Sequence, residues 1–224
     1  SFRIMQYNKW GWLAFWLASQ VGVAEAAPQG GRATSEHDAL FTYASLFCGA
    51  GIGDIGMGYL GGFCRAAVDS CGEVLDIFRR NHRATHYIHQ PVENRSWWDL
   101  CHGVDMIFAG PPCPPFSRAG LQGGFEDYRG QLWTYPFLIA EHCNVPVVII
   151  ENVRGLCTGN QGRWLQEILL ILKQWGWKVE VLKEDALRRG LPMRRNRVFL
   201  ACTRGEGRIA ERHVPLCDRH PASI

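Results

Sequence analysis

The stretch Leu40–Gly58, LFTYASLFCGAGIGDIGMG, begins as an apolar run and ends as a glycine-rich turn. The apolar part, Leu40–Phe47, predicts a buried strand, and the closely spaced glycines after it let the backbone turn tightly and approach a ligand. The next apolar run, Gly62–Val68, ends at Asp69, where a carboxylate can accept hydrogen bonds from ribose hydroxyls. A glycine-rich turn alone is equally typical of a structural turn, but the acid that follows favours a site for an adenosine-containing cofactor.

Strand and helix patterns alternate along the chain after this stretch. Because long apolar strands that alternate with helices form mainly parallel sheets covered on both faces, the pattern predicts an α/β protein with a Rossmann-like sheet. We expect an N-terminal extension and linker over 1–40, one domain over 41–204 and a C-terminal tail over 205–224. The further predicted elements are strands at Val104–Ala109, Val145–Ile150, Lys178–Leu182 and Arg197–Cys202, and helices at Glu73–Asn81, Gly130–His142 and Gly162–Trp175.

The chain is slightly basic, with a net charge of +3, and basic residues concentrate near its end. The segment Lys183–Arg212 holds nine Lys or Arg residues against four Asp or Glu, which suits contact with a polyanion, although such runs are usually solvated faces. The apolar segment Trp10–Ala18 has nine residues and is too short to span a bilayer. We therefore expect an accessory helix there and no association with a membrane.

The cysteines and histidines do not have the spacing of a metal site. The nine cysteines include no CxxC pair, so we expect mostly buried free thiols in a reducing, intracellular compartment. The spacing of His82, His86 and His89 would suit a metal ion bound to a helix, but no acidic or thiol partner lies at ligand spacing beside them. The sequence therefore predicts no metal.

Two further strand ends carry reactive side chains. Cys113 lies in AGPPCPPFSRAG, Ala109–Gly120, directly after a predicted strand; it is either a buried residue of a proline corner or a nucleophile held on a rigid loop. Glu151 follows the apolar strand VPVVII, where it either caps a turn or donates a proton, since burying an unused carboxylate is costly. If the two strands are neighbours, a thiol nucleophile and a proton donor share one cleft, which suits covalent attack assisted by acid catalysis.

Six ordered segments over about residues 42–203 resemble the cytosine-5 DNA methyltransferases. The loop SLFCGAGIGDIGMG looks like the family's F-x-G-x-G cofactor loop, and GPPCPPFSRAG resembles its Pro-Cys catalytic motif. The resemblance implies a Rossmann-like S-adenosylmethionine-dependent methyltransferase fold, with 41–204 as the catalytic domain. The remaining matches are Asp69 in place of the acid for the ribose, EDYRGQL at Glu126–Leu132, Glu151-Asn152-Val153, and GLPMRRNR at Gly190–Arg197.

The resemblance implies methylation of cytosine C5 in double-stranded DNA, with the target base flipped out of the helix. Cys113 would add to C6, Glu151 would hydrogen-bond or protonate N3, and Arg197 would contact O2, with Arg195 as the second family arginine. Either arginine is otherwise a surface charge. S-adenosylmethionine would be the methyl donor. The implied cofactor residues are Phe47, Gly49, Gly51, Gly53, Asp69, Pro111 and Leu132.

The sequence departs from the family pattern around the substrate and the adenine. Pro114 and Met193 stand where the family carries glutamines that help to hold the flipped base and the orphaned strand. The acid that contacts the adenine amine has no clean match, and three residues remain candidates for this contact. These candidates are Glu93, Asn94 and Asp99.

A target-recognition domain has no evident counterpart. Only 21 residues follow Thr203, where the family continues with that domain and a last motif. We therefore expect a truncated catalytic domain that requires a separate recognition domain or complementing subunit. The N-terminal segment, with Trp10–Gln20, is a candidate substitute for the final helix of the family.

Three other functions stay open at this point. The chain could be an inactive methyltransferase-like module that binds nucleic acid. It could be a cytosine-5 RNA methyltransferase that acts on transfer RNA, since that branch shares the same motifs. An NAD-type oxidoreductase would explain the glycine loop but would leave Cys113 and Glu151 without a role. For a DNA enzyme we expect the nucleus if the source is eukaryotic, and otherwise the cytoplasm.

Overall fold

The computed structural model describes residues 33–112, 131–189 and 194–205. No helix within these ranges is long and apolar enough to cross a membrane. The segment Trp10–Ala18 lies outside them.

The strands are β1 (Phe41–Leu46), β2 (Gly62–Asp69), β3 (Ala84–His89), β4 (Met106–Ala109), β5 (Val147–Val153), β6 (Lys178–Asp185) and β7 (Asn196–Thr203). The α-helices are α1 (Ile52–Tyr59), α2 (Gly72–Asn81), α3 (Tyr135–Cys143), α4 (Gly155–Thr158) and α5 (Arg163–Gln174), with 3-10 helices at Arg95–Cys101, Leu132–Thr134, Gly159–Gly162 and Ala186–Arg189.

The strands form one sheet in the order β3-β2-β1-β4-β5-β7-β6. β1 pairs in parallel with β2 and β4, and β4 pairs in parallel with β5, whereas β7 is antiparallel to β5 and β6. The order of the strands reverses between β1 and β4, and the carboxyl ends of the strands at such a point form the crevice in which doubly wound sheets bind ligands. This arrangement confirms the predicted Rossmann-like α/β fold.

Alternate residues of the central strands point into two cores. In β5, Val148 and Ile150 belong to one cluster of buried residues, whereas Val147 and Ile149 belong to another. Since successive side chains of a strand point to opposite faces, each cluster covers one face of the sheet. Buried residues of α3 and α5 join the first cluster, and those of α1 and α2 join the second. Helices therefore cover both faces, which explains the continuous apolar runs of the central strands.

The elements differ from the predicted ones in three places. β3 has no counterpart among the predicted strands, because at this edge of the sheet only Ile88 is fully buried and no apolar run marks the strand. The predicted helix Gly130–His142 begins instead at Tyr135, after a 3-10 turn. β5 continues to Val153, so Glu151 lies within the strand and not in a turn after it.

The described cysteines are free thiols, and most of them are buried, as predicted. Burial raises the pKa of Cys101 to about 12 and that of Cys143 to about 11. With no metal ion beside them, these two thiols therefore stay protonated near neutral pH. Cys113, the predicted nucleophile, lies outside the described residues. The buried cysteines are Cys48, Cys64, Cys101, Cys143 and Cys202.

Candidate active site

The loop after β1 has a strained backbone. Phe47 has a φ of 54°, in the left-handed region that residues with a β-carbon avoid, and Gly49 and Gly51 follow with φ of 53° and 79°. Holding a bulky residue in this region costs on the order of 1–3 kcal/mol. The Cys48 N–H donates to the Val68 carbonyl at 3.1 Å, and the Gly51 N–H donates to the Cys48 carbonyl at 2.9 Å. The strain therefore lies at the carboxyl end of β1, where ligands bind in this kind of sheet.

The three predicted cofactor glycines differ in the space around them. A β-carbon at Gly51 would lie 2.4 Å from the His82 ring, and one at Gly53 would lie 2.4 Å from the Phe108 ring. A β-carbon at Gly49 would meet no atom of the described residues within 4 Å. Gly51 and Gly53 therefore permit close packing of the loop and α1, whereas the backbone at Gly49 is open to a ligand.

Asp69 fastens the glycine loop to the end of β2. Its Oδ2 accepts a hydrogen bond from the Gly49 N–H at 2.8 Å, and its Oδ1 accepts one from the Cys71 N–H at 2.9 Å. Each carboxylate oxygen has a second lone pair, so both can still accept a bond from a hydroxyl group. The carboxylate predicted to meet a ribose therefore also holds the loop that would lie beside the ribose.

Asp69→Asn is expected to loosen this loop without unfolding the sheet. The amide keeps one acceptor oxygen, so one of the two backbone N–H groups loses its partner, at a cost of about 1–3 kcal/mol. Hydrogen exchange at the Gly49 or Cys71 amide should accelerate accordingly. The Cys48 amide donates to Val68 and serves as the internal control. Equal acceleration at all three amides would contradict a local role for Asp69.

Glu151 and Arg197 form an ion pair between β5 and β7. Glu151 lies opposite Phe199 in the antiparallel ladder, and Arg197 lies two residues before Phe199, so both side chains are on one face. Arg197 Nε lies 2.5 Å from Glu151 Oε1, and the two side chains are 23% and 28% exposed, respectively. Because about a quarter of each side chain meets solvent, a ligand can reach the pair. The Arg197 Nη1 also donates to the Asn196 carbonyl at 2.9 Å.

Gly110 brings three strand ends together. Its N–H donates to the Leu46 carbonyl at 3.2 Å, which joins the ends of β4 and β1. A β-carbon at Gly110 would lie 3.9 Å from Glu151 Oε2 and 3.9 Å from the Phe47 carbonyl oxygen. β4 and β5 are neighbours, as the sequence predicted for the strands before Cys113 and at Glu151. The carboxylate, the cofactor loop and the start of the proline segment therefore meet at one edge of the sheet.

The other predicted site residues lie in different settings. Arg195 has an exposed side chain, and its carbonyl accepts a hydrogen bond from the Ala186 N–H at 3.1 Å. Leu132 is buried in the core at the start of a 3-10 turn, and Pro111 is buried directly after Gly110.

The three candidates for an adenine contact lie in different settings. The Asn94 side chain accepts from the Ser96 N–H at 3.0 Å and so caps a 3-10 helix. Asp99 Oδ1 lies 2.7 Å from His142 Nε2. Asp99 belongs to the 3-10 helix that precedes β4, near the amino end of that strand. Asp99 is thus removed from the carboxyl ends of the strands. Glu93 lies directly before the cap.

Asp54 is a buried carboxyl group that the sequence reading missed. It lies in the first turn of α1, directly behind the glycine loop, and is 2% exposed. Burial raises its pKa to about 6, and the nearby hydroxyls of Ser45 and Tyr43 offset part of the rise. Its Oδ1 accepts no hydrogen bond within the described residues. The available signal was an acid among the glycine and apolar residues of GIGDIGMG.

Comparisons with known proteins match the whole described sheet. The model of the family described as C-5 cytosine-specific DNA methylase matches residues 41–221. The type II methyltransferase M.AplI of Arthrospira platensis is 32% identical over 152 residues, which are 67% of this chain and 43% of that protein. The type II methyltransferase M.NlaX of Neisseria lactamica is 34% identical over 165 residues, which are 72% of this chain and 51% of that protein. The chain thus spans about half the length of these curated relatives.

A solved structure shows the same fold. The crystal structure of the S. pombe Dnmt2 methyltransferase superposes with a TM-score of 0.56 at 18% identity, over 73% of this chain and 51% of that one. At this identity the likeness concerns the fold and leaves function to the site. The family match, in contrast, covers most of the sequence, from β1 to beyond β7. The chain therefore belongs to the C-5 cytosine-specific DNA methylase family, whose methyl donor is S-adenosylmethionine.

Proposed function

We propose that this chain carries the chemical half of a DNA cytosine-5 methyltransferase, with residues 41–204 as its catalytic domain. It binds S-adenosylmethionine at the loop after β1 and methylates C5 of a flipped cytosine through a covalent bond to Cys113. The supporting observation is that Glu151 Oε2 and the Phe47 carbonyl oxygen both lie beside Gly110 at one edge of the sheet. Gly110 is three residues before Cys113 in the sequence.

The residues around the β1 loop fit the cofactor. The open backbone at Gly49 lets a ligand approach, and Asp69 keeps acceptor capacity for ribose hydroxyls at the adjacent strand end. Phe47 would hold the base of the loop, and Pro111 would limit the pocket on the β4 side. When bound, S-adenosylmethionine supplies an electrophilic methyl group.

The reaction uses three side chains of this chain in sequence. The Cys113 thiolate forms a bond to C6 as the C5–C6 double bond opens, while Glu151, in its protonated form, donates a proton or hydrogen bond to N3, which makes C5 nucleophilic. C5 then gains the methyl group. A base removes the C5 proton, and the C6–S bond breaks to restore the aromatic ring. Arg197 exchanges part of its contact with Glu151 for cytosine O2, since both side chains of the ion pair are partly exposed to a ligand.

Residues outside the sheet would bind the DNA. Arg194 and Arg195 are exposed directly before β7 and can contact phosphates. Because the chain spans about half of its relatives' length, we assign target recognition to a separate domain or a complementing subunit.

Covalent trapping tests the proposal. The chain is mixed with S-adenosylmethionine, double-stranded DNA containing 5-fluorocytosine, and the recognition domain of the M.NlaX relative supplied as a second chain. Fluorine at C5 blocks loss of a proton, so the adduct with Cys113 should accumulate and survive denaturing electrophoresis. Cys113→Ser should form no adduct, and calorimetry should show that it still binds S-adenosylmethionine.

Each other outcome contradicts a named part of the proposal. Cofactor binding without any adduct would make the chain a non-catalytic module. An adduct with fluorinated RNA but not with DNA would make it an RNA methyltransferase. An adduct that persists in Cys113→Ser would assign the nucleophile to another residue.

A further inference from the structure

We propose that His102, His142 and Cys143 bind one divalent transition metal ion, with Zn²⁺ as the favoured ion, at the sheet edge opposite the proposed catalytic cleft. This group is called the His–Cys cluster. One ligand atom from each of the three side chains lies within 4.8 Å of the other two. Within the described residues, these side chains form a group of at least three potential metal ligands. The proposed metal site does not depend on the proposed methyltransferase activity.

The geometry of the cluster needs only a small contraction to suit zinc. Tetrahedral Zn²⁺ binds nitrogen at about 2.0–2.1 Å and sulfur at about 2.3 Å, which places neighbouring ligand atoms about 3.3–3.8 Å apart. His102 and His142 are about half exposed, with their rings 5.6 Å apart, so both can turn toward an ion. Cys143 is buried and supplies the fixed ligand.

Asp99 supports the cluster electrostatically. Its Oδ1 lies 2.7 Å from His142 Nε2 and 3.5 Å from His102 Nε2, so it already draws both rings to one point. A carboxylate oxygen there can serve as the fourth ligand or accept a hydrogen bond from a histidine that binds through its other nitrogen. Two nitrogens, one sulfur and one oxygen form a donor set that suits Zn²⁺ or Co²⁺.

Metal binding at Cys143 exchanges a proton for the ion. In the described state the Cys143 thiol donates to the Trp98 carbonyl at 3.0 Å. Binding breaks the S–H bond, forms a metal–sulfur bond and releases one proton to solvent, without any change of oxidation state. The Trp98 carbonyl then loses a weak donor, while the Trp98 indole keeps its own bond to the Val92 carbonyl at 3.0 Å.

The position of the cluster suggests a structural role. Asp99 and His102 belong to the 3-10 segment and turn before β4, and His142 and Cys143 end α3 before β5. An ion there would clamp two connections at the amino ends of adjacent parallel strands, whereas Glu151 and Gly110 lie at their carboxyl ends. Because the ligands come from distant parts of the sequence, no local spacing indicated the site.

Cobalt titration of the whole chain tests the proposal. Co²⁺ bound to a thiolate and two imidazoles should give sulfur-to-metal charge-transfer absorption and strong visible bands, saturating at one equivalent and displaced by Zn²⁺. His102→Ala and Cys143→Ser should lose the charge-transfer band. His37→Ala and Cys71→Ser, which remove exposed residues outside the cluster, should retain it.

A second measurement keeps the test independent of the buried cysteine. His102 is exposed, so its alanine variant leaves the core intact even if Cys143→Ser folds poorly. At about 100 times its dissociation constant Zn²⁺ should stabilise the wild-type chain by about 2.7 kcal/mol, seen as a rise in Tm, and should not stabilise His102→Ala. Absence of charge-transfer absorption in the wild type, or its loss in Cys71→Ser alone, would overturn the proposal.

Discussion

Glu151→Gln is expected to lower the rate of methyl transfer to cytosine by about 10²–10⁴-fold, the usual contribution of a positioned proton donor. Gln has the shape of Glu and can still donate a hydrogen bond to N3, but it cannot transfer a proton. The rate would be measured with labelled S-adenosylmethionine, DNA and the recognition domain of a relative. Binding of S-adenosylmethionine should not change, because the loop that would hold the cofactor is hydrogen-bonded to Asp69, whereas Glu151 is paired with Arg197.

The variant should fold, because Arg197 keeps another acidic residue nearby. Glu184 on β6 lies directly opposite Arg197 in the antiparallel ladder. The arginine therefore stays beside a carboxylate when Glu151 becomes neutral. Glu167→Gln on the exposed face of α5 is the matched control and should retain the wild-type rate. A wild-type rate in Glu151→Gln would remove this residue from the chemistry, and loss of cofactor binding would make its role structural.

Asp54→Asn is expected to stabilise the fold at neutral and alkaline pH. Burial raises the pKa of Asp54 from 3.8 to about 6, so the folded state binds this proton more tightly than the unfolded state. The wild-type chain is therefore progressively destabilised as the pH rises from about 4 to about 6, and the full cost remains above that range. A shift of about two pKa units corresponds to about 3 kcal/mol. Asn is neutral throughout and avoids this cost.

Urea unfolding at a series of pH values measures the effect. The free energy of unfolding of Asp54→Asn relative to wild type should rise by about 3 kcal/mol between about pH 4 and pH 7 and then level off. Asp76→Asn on the exposed face of α2 removes a carboxylate that is not buried and serves as the control. A constant difference across the pH range would show that the hydroxyls of Ser45 and Tyr43 compensate the buried charge fully.

The central sheet could be predicted from sequence because its strands are buried on both faces. β1, β4 and β5 read as apolar runs, which is the pattern of strands covered on both faces. β3 could not be predicted in the same way, because an edge strand with one fully buried residue carries little apolar signal. The full order of the strands could not be predicted, since pairing between distant strands leaves no local pattern.

Site residues could be predicted where they follow an apolar run in the sequence. Their contacts could not be predicted, because packing between distant segments decides them. Glu151 and Asp69 stood out as acids after apolar runs. That Asp69 binds the Gly49 amide, and that Glu151 meets Arg197, depends on turn geometry and on antiparallel register. The burial of Asp54 likewise depends on the side of α1 that faces the sheet, which short glycine-rich helices do not reveal by periodicity.

The late position of β7 in the sequence determines when the Glu151–Arg197 pair can form during synthesis. The β1 loop, Asp69 and Gly110 all precede β5 in the chain, so a growing polypeptide contains them early. Glu151 follows, but Arg197 is synthesised only with β7, the last strand of the described residues, which must insert between β5 and β6. Domains form as units once their sequence is complete. A nascent or shortened chain that ends before β7 therefore holds the proposed cofactor residues and a Glu151 carboxylate without its arginine, and the proposed ability to activate cytosine is acquired last.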